Sequence, residues 1–372
     1  MGAQVGIIGG GLAGLVASIQ LARKGISCVL FEKKKYPFHR VCGEYISNEA
    51  LPFLQREHLV PADLDLPRIN QFLLSSTSGK YVLLPLDMGG FGISRYVLDH
   101  HLYTVAVQNG VEVRQETEVT DVSFASNRFH ISTHSGQVFN ADFVLGSFGK
   151  RSRLDAQLHR SFMKARSPYA AVKYHARTDH PTECITLHNF AGGYCGVSRV
   201  EHGTSNICYL THRDNLRRYG SIRAMEENVV FKNPHLKTLF RDSDFLFEKP
   251  ETINEISFAT KSPVHHHMLM VGDAAGMITP LCGNGMAMAI HSAKIASDVL
   301  FDVITHRHAR EWMEQTYARL WTKAFTRRLR FGRFVQHYLF GNELSSHMAL
   351  TLAVRSTWLA QKIIKNTHGD VF

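Results

Sequence analysis

Gly9, Gly11 and Gly14 stand on the spacing G-x-G-x-x-G in the segment QVGIIGGGLAGLVASIQ. Set between a strand and a helix, glycines so spaced make a cradle for a diphosphate. Gly9 permits the sharp turn, Gly11 lets phosphate approach a backbone without a Cβ, and Gly14 lets the helix pack close on the strand. Leu12 and Ala13 open the helix, where exposed N–H groups and the positive dipole end hold an anion. Glu32 ends the next strand, eighteen residues beyond Gly14. A carboxylate there accepts hydrogen bonds from adenosine ribose hydroxyls and disfavours a 2′-phosphate, so the cradle suits FAD or NAD and not NADP. Lys33, beside it, joins the cofactor-binding candidates.

A second group of residues lies roughly 260 positions downstream, in MLMVGDAAGMITPLCGNGMAMAIHSA at 268–293, which reads as strand, turn, loop and helix. GGGLAG…FE and VGDAAG…P…GNGM…A, with GISRYVLDHHLYTVAVQNGVEV at 92–113, resemble the FAD-dependent superfamily of para-hydroxybenzoate hydroxylase-like monooxygenases, flavin-dependent halogenases and geranylgeranyl reductases. The late segment is most similar to the reductase-like branch. The resemblance implies that Gly272 and Asp273 meet the ribityl chain and that Pro280 lies beside the isoalloxazine ring. The N–H groups of Gly283, Asn284, Gly285 and Met286 would face N1 and the C2 oxygen, where negative charge collects in reduced flavin. YPFHRVCGEY at 36–45 is similar to the family's loop along the cofactor. Arg40 and Arg95 are candidates for cofactor phosphate or ring, with a solvated surface charge as the competing reading; Cys42 is either reactive or a buried inert thiol.

These motifs must be positioned by an α/β fold. A Rossmann-like FAD-binding domain of the glutathione-reductase type is expected from 1–65, 92–165 and 258–300. It is interleaved with a mostly antiparallel sheet from 66–91 and 166–257, where RINQFLLSS, KYVLLPL, YAAVKYHA, ECITLHNF, YCGVSRV and TSNICYL alternate apolar and polar residues. A helical region is expected over 301–372. One face of the substrate sheet should cover the flavin, with His188 and Tyr194 as catalytic candidates alongside Pro280. The consecutive histidines 265–267 read as a solvated turn, because successive strand side chains point to opposite faces and cannot share one metal ion.

The chain also departs from its relatives. The halogenase segment Trp-x-Trp-x-Ile-Pro is missing, since the only tryptophans are Trp312, Trp321 and Trp358. Of the reductases' Tyr-x-Trp-x-Phe-Pro strand, Tyr194-Cys195-Gly196-Val197-Ser198-Arg199 keeps only the tyrosine. Phe148 stands where aromatic hydroxylases carry the aspartate of Ala-Asp-Gly. With a single glycine-rich fingerprint, electrons would come from NAD(P)H bound transiently over the flavin or from an external flavin reductase. The expected function is a hydroxylase-like monooxygenase acting on an apolar, phenolic or lipid-tailed small molecule through a flavin C4a-hydroperoxide. The alternatives are a reductase saturating isoprenoid or polyene double bonds and a flavin-binding protein without catalysis.

Composition bounds the rest. The 372 residues are 44% hydrophobic and 20% charged, which excludes wholesale disorder and a polytopic membrane protein. Six cysteines without a CxxC pair point to a reducing, cytoplasmic setting. The net charge of +10 is concentrated in the last 72 residues, where 11 Lys and Arg face 5 acids. That basic, aromatic-rich segment is a packed lid, a peripheral membrane contact or, with no fold motif in support, a nucleic-acid surface; nucleic acid is not expected as a partner. The oligomeric state is not legible.

Overall fold

The computed structural model describes residues 4–164, 166–280, 283–339, 350–351 and 356–372; Cys282, Phe340, Glu343 and Arg355 lie outside the described residues. Val5–Ile8, four apolar residues with no exposed face, is the inner strand of a parallel sheet. Cys28–Phe31 and Phe143–Gly146 flank it, with Val5 opposite Cys28 on one side and Phe143 on the other. Glu112–Arg114 and Met268–Met270 extend the sheet in parallel, and Val264–His265 closes one edge antiparallel. Strands with both faces buried carry apolar runs, not alternation. The helices Leu12–Arg23, Arg95–Gln108 and Gly285–His306 pack beside them. Every residue from Leu12 to Leu21 is buried, as suits a helix covered on all sides. The opposite face carries a three-stranded meander, Val119–Ala125, Arg128–Thr133 and Val138–Ala141. A Cβ on Gly6 would lie 2.5 Å from Ile131 Cδ1, and Phe31 meets Phe139 edge to face at 5.1 Å.

The second sheet has nine strands. Tyr169–Arg177, Ser205–His212, Gly193–Arg199 and Cys184–Phe190 run antiparallel in that spatial order; Arg68–Ser75 joins Cys184–Phe190 in parallel, and Tyr81–Gly92 and Tyr45–Ser47 complete one side. Asp244–Phe245 and Glu251–Asn254 both pair with Tyr169–Arg177. Period-two alternation gives the sheet two unlike faces. Val172, Tyr174, Cys195, Val197, Ile207 and Tyr209 pack beneath Met225, Val229, Val230 and Leu236, supplied by the helical stretch 213–242. The other face looks toward the first domain.

Two features depart from the expected boundaries. Tyr45–Ser47 belongs to the second sheet although it precedes residue 66. Residues 213–242 hold the helices Arg213–Tyr219, Ile222–Asn228 and Pro234–Asp242 instead of strands, the first ending at Gly220 in the left-handed region (φ 73°), the others capped by Ser221 and Asn233.

Candidate functional site

The three fingerprint glycines occupy different environments. Gly9 has φ +105°, and a Cβ there would lie 2.5 Å from the Ser147 carbonyl oxygen. At Gly14 it would lie 2.1 Å from the Gly9 oxygen. A Cβ on Gly11 would meet only Arg95 Nη2, at 3.9 Å, and Gly11 borders a large cavity. Gly11 is the N-cap of Leu12–Arg23 and brings no side-chain acceptor, so the first N–H groups, at Leu12 and Ala13, are left for an anion.

Glu32, 4% exposed, ends its strand at the cavity wall beside Lys33. Its Oε2 accepts from Gly10 N and Arg40 Nη2, both at 3.0 Å, and its Oε1 from Lys34 N at 3.0 Å. A carboxylate has about four lone-pair positions, so three are used in fixing the turn and about one remains for a ribose hydroxyl. Asp99, buried, accepts from Arg40 Nε at 3.0 Å and from Arg95 Nε and Nη2 at 2.7 Å. The carboxylate thus aims Arg95 at the glycine turn, and its charge raises the guanidinium pKa despite burial. Both arginines border the cavity and are ion-paired, not solvated surface charges.

At the other end of the cavity stand Gly272, Asp273, Pro280, Gly283, Gly285 and Met286. The Asp273 turn is held from behind by Lys261, whose Nζ donates to the carbonyls of Asp273 and Lys150 at 2.8 and 2.6 Å; burial pushes this ammonium down to about 8. Gly283 adopts φ +69°, which turns the loop into the Gly285–His306 helix. Gly283 is a correction, since its N–H donates to the Pro280 carbonyl at 3.0 Å; the Asn284 side chain is fully buried, and its Nδ2 donates to the Thr367 carbonyl at 2.6 Å. That side-chain bond ties the ring-side loop to the helix Thr357–Thr367.

The loop between these ends carries the group that sequence reading missed. Glu44, at φ +53°, is fully buried and takes Lys173 Nζ on Oε1 at 2.5 Å, His175 Nε2 on Oε2 at 2.6 Å and the Arg95 N–H at 2.8 Å. Burial alone would raise its pKa, but the Lys173 charge and these bonds bring it down to about 2. Lys173 Nζ also donates to Arg40 O, Ser198 Oγ to Gly43 O and Asn206 Nδ2 to Cys42 O. The sheet face therefore clamps residues 40–44 from above. A lysine inside a strand read as alternating was the available signal, but its partner lies 129 residues away.

Beyond the ring end the cavity passes beneath Ala171, Leu187, Tyr194 and Leu210, with Phe72, Ile253, Ile256 and Met277. Tyr194 donates to Gln336 Oε1 at 3.3 Å. Gly196, on the same strand face, leaves the slot open: a Cβ there would find its nearest neighbour, Cys208 O, at 3.7 Å. Burial pushes the Cys208 thiol up to about 12. His188 is the second correction. One residue out of phase with Leu187, it points to the opposite face, bonds Ser75 Oγ at 2.8 Å and stacks on His235 at 5.2 Å, and burial pushes it down to about 3. His265 ends the strand Val264–His265, and His266 and His267 form the turn to Met268–Met270; among the described residues no group of three potential ligands could hold a metal.

Residues 2–329 match the family model described as FAD binding domain. The conditioned medium factor receptor 1 of Dictyostelium discoideum is 23% identical over 364 residues, covering 86% of this chain and 68% of that protein. Digeranylgeranylglycerophospholipid reductase 3 of Methanosphaera stadtmanae is 23% identical over 334 residues, covering 84% and 80%. Among solved structures, a flavin-dependent brominase superposes with a TM-score of 0.79 at 17% identity, covering 98% of this chain and 93% of that one. The cavity, about 1030 Å³, lies at the upper limit for ligand sites. The open Gly11 turn, the Asp99-aimed Arg95 and the glycine-rich ring-side loop fit a flavin dinucleotide along it.

Proposed function

The chain belongs to the FAD binding domain family, and on that premise we propose that it is a monooxygenase that hydroxylates an apolar, lipid-tailed phenol. The observation that carries this reading is the slot continuing from the ring end of the cavity, apolar at Ala171, Leu187, Leu210, Ile253 and Met277 and deepened at Gly196. Bound FAD would supply two-electron reduction and oxygen activation. The chain's own residues do the rest. Leu12, Ala13 and Arg95 would hold the diphosphate, Asp273 the ribityl chain, and the N–H groups at Asn284 to Met286 the ring, the Gly283 N–H being given to the Pro280 carbonyl at 3.0 Å. The apolar wall excludes water, and the Tyr194 hydroxyl, a polar group on that wall, orients the phenol oxygen. An electron-rich phenol supplies its own nucleophile, so positioning dominates and no free base is required: Glu44 and Lys173 are committed to each other. The electron donor is NAD(P)H or a separate flavin reductase.

One observation favours a reductase instead. Cys42 Sγ lies 3.4 Å from Met286 Sδ, beside Arg95, where a thiol would protonate a carbon after hydride transfer. Mixing reduced protein with O₂ in the presence of a long-chain phenol separates the two. Fast reoxidation coupled to hydroxylated product supports oxygenation; reduced flavin that survives O₂ and saturates an alkene favours the reductase.

A further inference from the structure

The helix Arg310–Leu339 has an inner and an outer side of opposite character. Inward, Met313, Tyr317, Trp321, Phe325 and Leu329 are buried, and Gln336 takes the Tyr194 hydroxyl at the slot. Outward, Arg319, Lys323, Arg327, Arg330 and Phe334 are exposed at spacings of three and four, one continuous stripe. The neighbouring helix Thr357–Thr367 repeats the pattern with Trp358, Lys362 and Lys365, and the two are tied where Arg327 Nη2 donates to Asn366 Oδ1 at 3.1 Å. Trp358 is 66% and Phe334 56% exposed, and Lys362 Nζ lies 4.8 Å over the Trp358 ring. From Gln315 to Leu339 and from Thr357 to Thr367 there are eight Lys and Arg and no carboxylate; Arg328 is buried against Glu49 and Arg333 turns to the Phe258 carbonyl, which leaves six exposed cations.

We propose that this paired helical face docks on an anionic lipid bilayer, its cations against the headgroups and Trp358 and Phe334 seated at headgroup depth. Cations alone would suit any polyanion; large exposed aromatics among them, on helices lying side by side, match the composition of an interfacial anchor. Among the described residues no helix is long and apolar enough to cross a membrane, so contact through this face would be peripheral. The slot wall lies on the other side of the same helix, a thickness of about 10 Å, so docking places the substrate slot one helix away from the lipid. The surface carries this inference whichever reaction the flavin performs.

The test is flotation of the FAD-loaded full chain with vesicles of phosphatidylcholine, with and without phosphatidylglycerol. Binding is expected only to the anionic vesicles, weakened by salt. Neutralising Lys323, Arg330 and Lys362 together should lower the partition about 100-fold, at roughly five-fold per cation. Trp358→Ala with Phe334→Ala should lower it at least ten-fold while flavin absorbance, and turnover of a short-tailed soluble substrate where one is known, stay unchanged. Absence of binding to either vesicle overturns the proposal. So does binding insensitive to the aromatic pair and matched by duplex DNA at equal phosphate, which would make the face a general polyanion site.

Discussion

Lys173 and Glu44 meet at 2.5 Å with neither side chain exposed, joining the nine-stranded sheet to the loop at 40–44. Removing one partner strands the other charge in the interior, which costs about 3–5 kcal/mol. Glu44→Gln and Lys173→Met are each expected to lower unfolding free energy by that order and to weaken FAD retention, because residues 40–44 lose their clamp. The double variant should recover part of the stability, and denaturant titration of the four proteins checks it.

The same pair sets an acid limit. Glu44 is held near 2 against an ordinary 4.5, so its contribution is complete above 4.5 and is lost as pH falls from there toward 2. That difference corresponds to about 3 kcal/mol. Wild-type stability should fall by that order across the window, and Glu44→Gln should show a correspondingly shallower slope.

Two glycine substitutions should fail in different ways. Gly11→Val points into open cavity, so the protein is expected to fold with near-native circular dichroism and to purify colourless. Gly14→Val meets the Gly9 oxygen, and soluble protein should be lost. Asp273→Ala should fold and retain FAD more weakly. Full FAD occupancy in Gly11→Val and Asp273→Ala would contradict the cradle.

Gly196 sets the depth of the slot. Gly196→Trp fills space that is empty of neighbours within 3.7 Å of the Cβ position. The variant is expected to keep FAD and its reduction by the electron donor, while KM for a long-tailed substrate rises at least ten-fold.

His188 and Tyr194 should separate stability from turnover. His188→Ala removes a buried hydrogen bond to Ser75 and should cost about 1–3 kcal/mol with little effect on kcat. Tyr194→Phe also loses a buried hydrogen bond, to Gln336, and should cost about 1 kcal/mol, but in addition it should lower kcat/KM about ten-fold. Thermal melts and steady-state rates on both variants read this out.

These predictions reflect what was legible in the sequence. Gly9, Gly11, Gly14 and Glu32 could be read because their roles are local, set by one strand, one turn and one helix start. The Glu44, Lys173 and His175 cluster could not, because its members are 129 and 131 residues apart and only sheet register brings them together. Alternation told that Cys184–Phe190 has two faces but not which one meets the cofactor, and His188 was misplaced by that single step of phase. The bond from the Asn284 side chain to the Thr367 carbonyl is not legible either, because it depends on the tail folding back. The meander at 119–141 alternates too, but nothing local says which layer it joins.

Incubation of the FAD-loaded protein with its electron donor, a long-chain phenol and ¹⁸O₂, followed by mass spectrometry of the product, bears most directly on the proposed reaction. Incorporation of one ¹⁸O atom into the ring, dependent on the open slot at Gly196, is the predicted result. A product that gains two hydrogens and no ¹⁸O, or one labelled only from water, would contradict it.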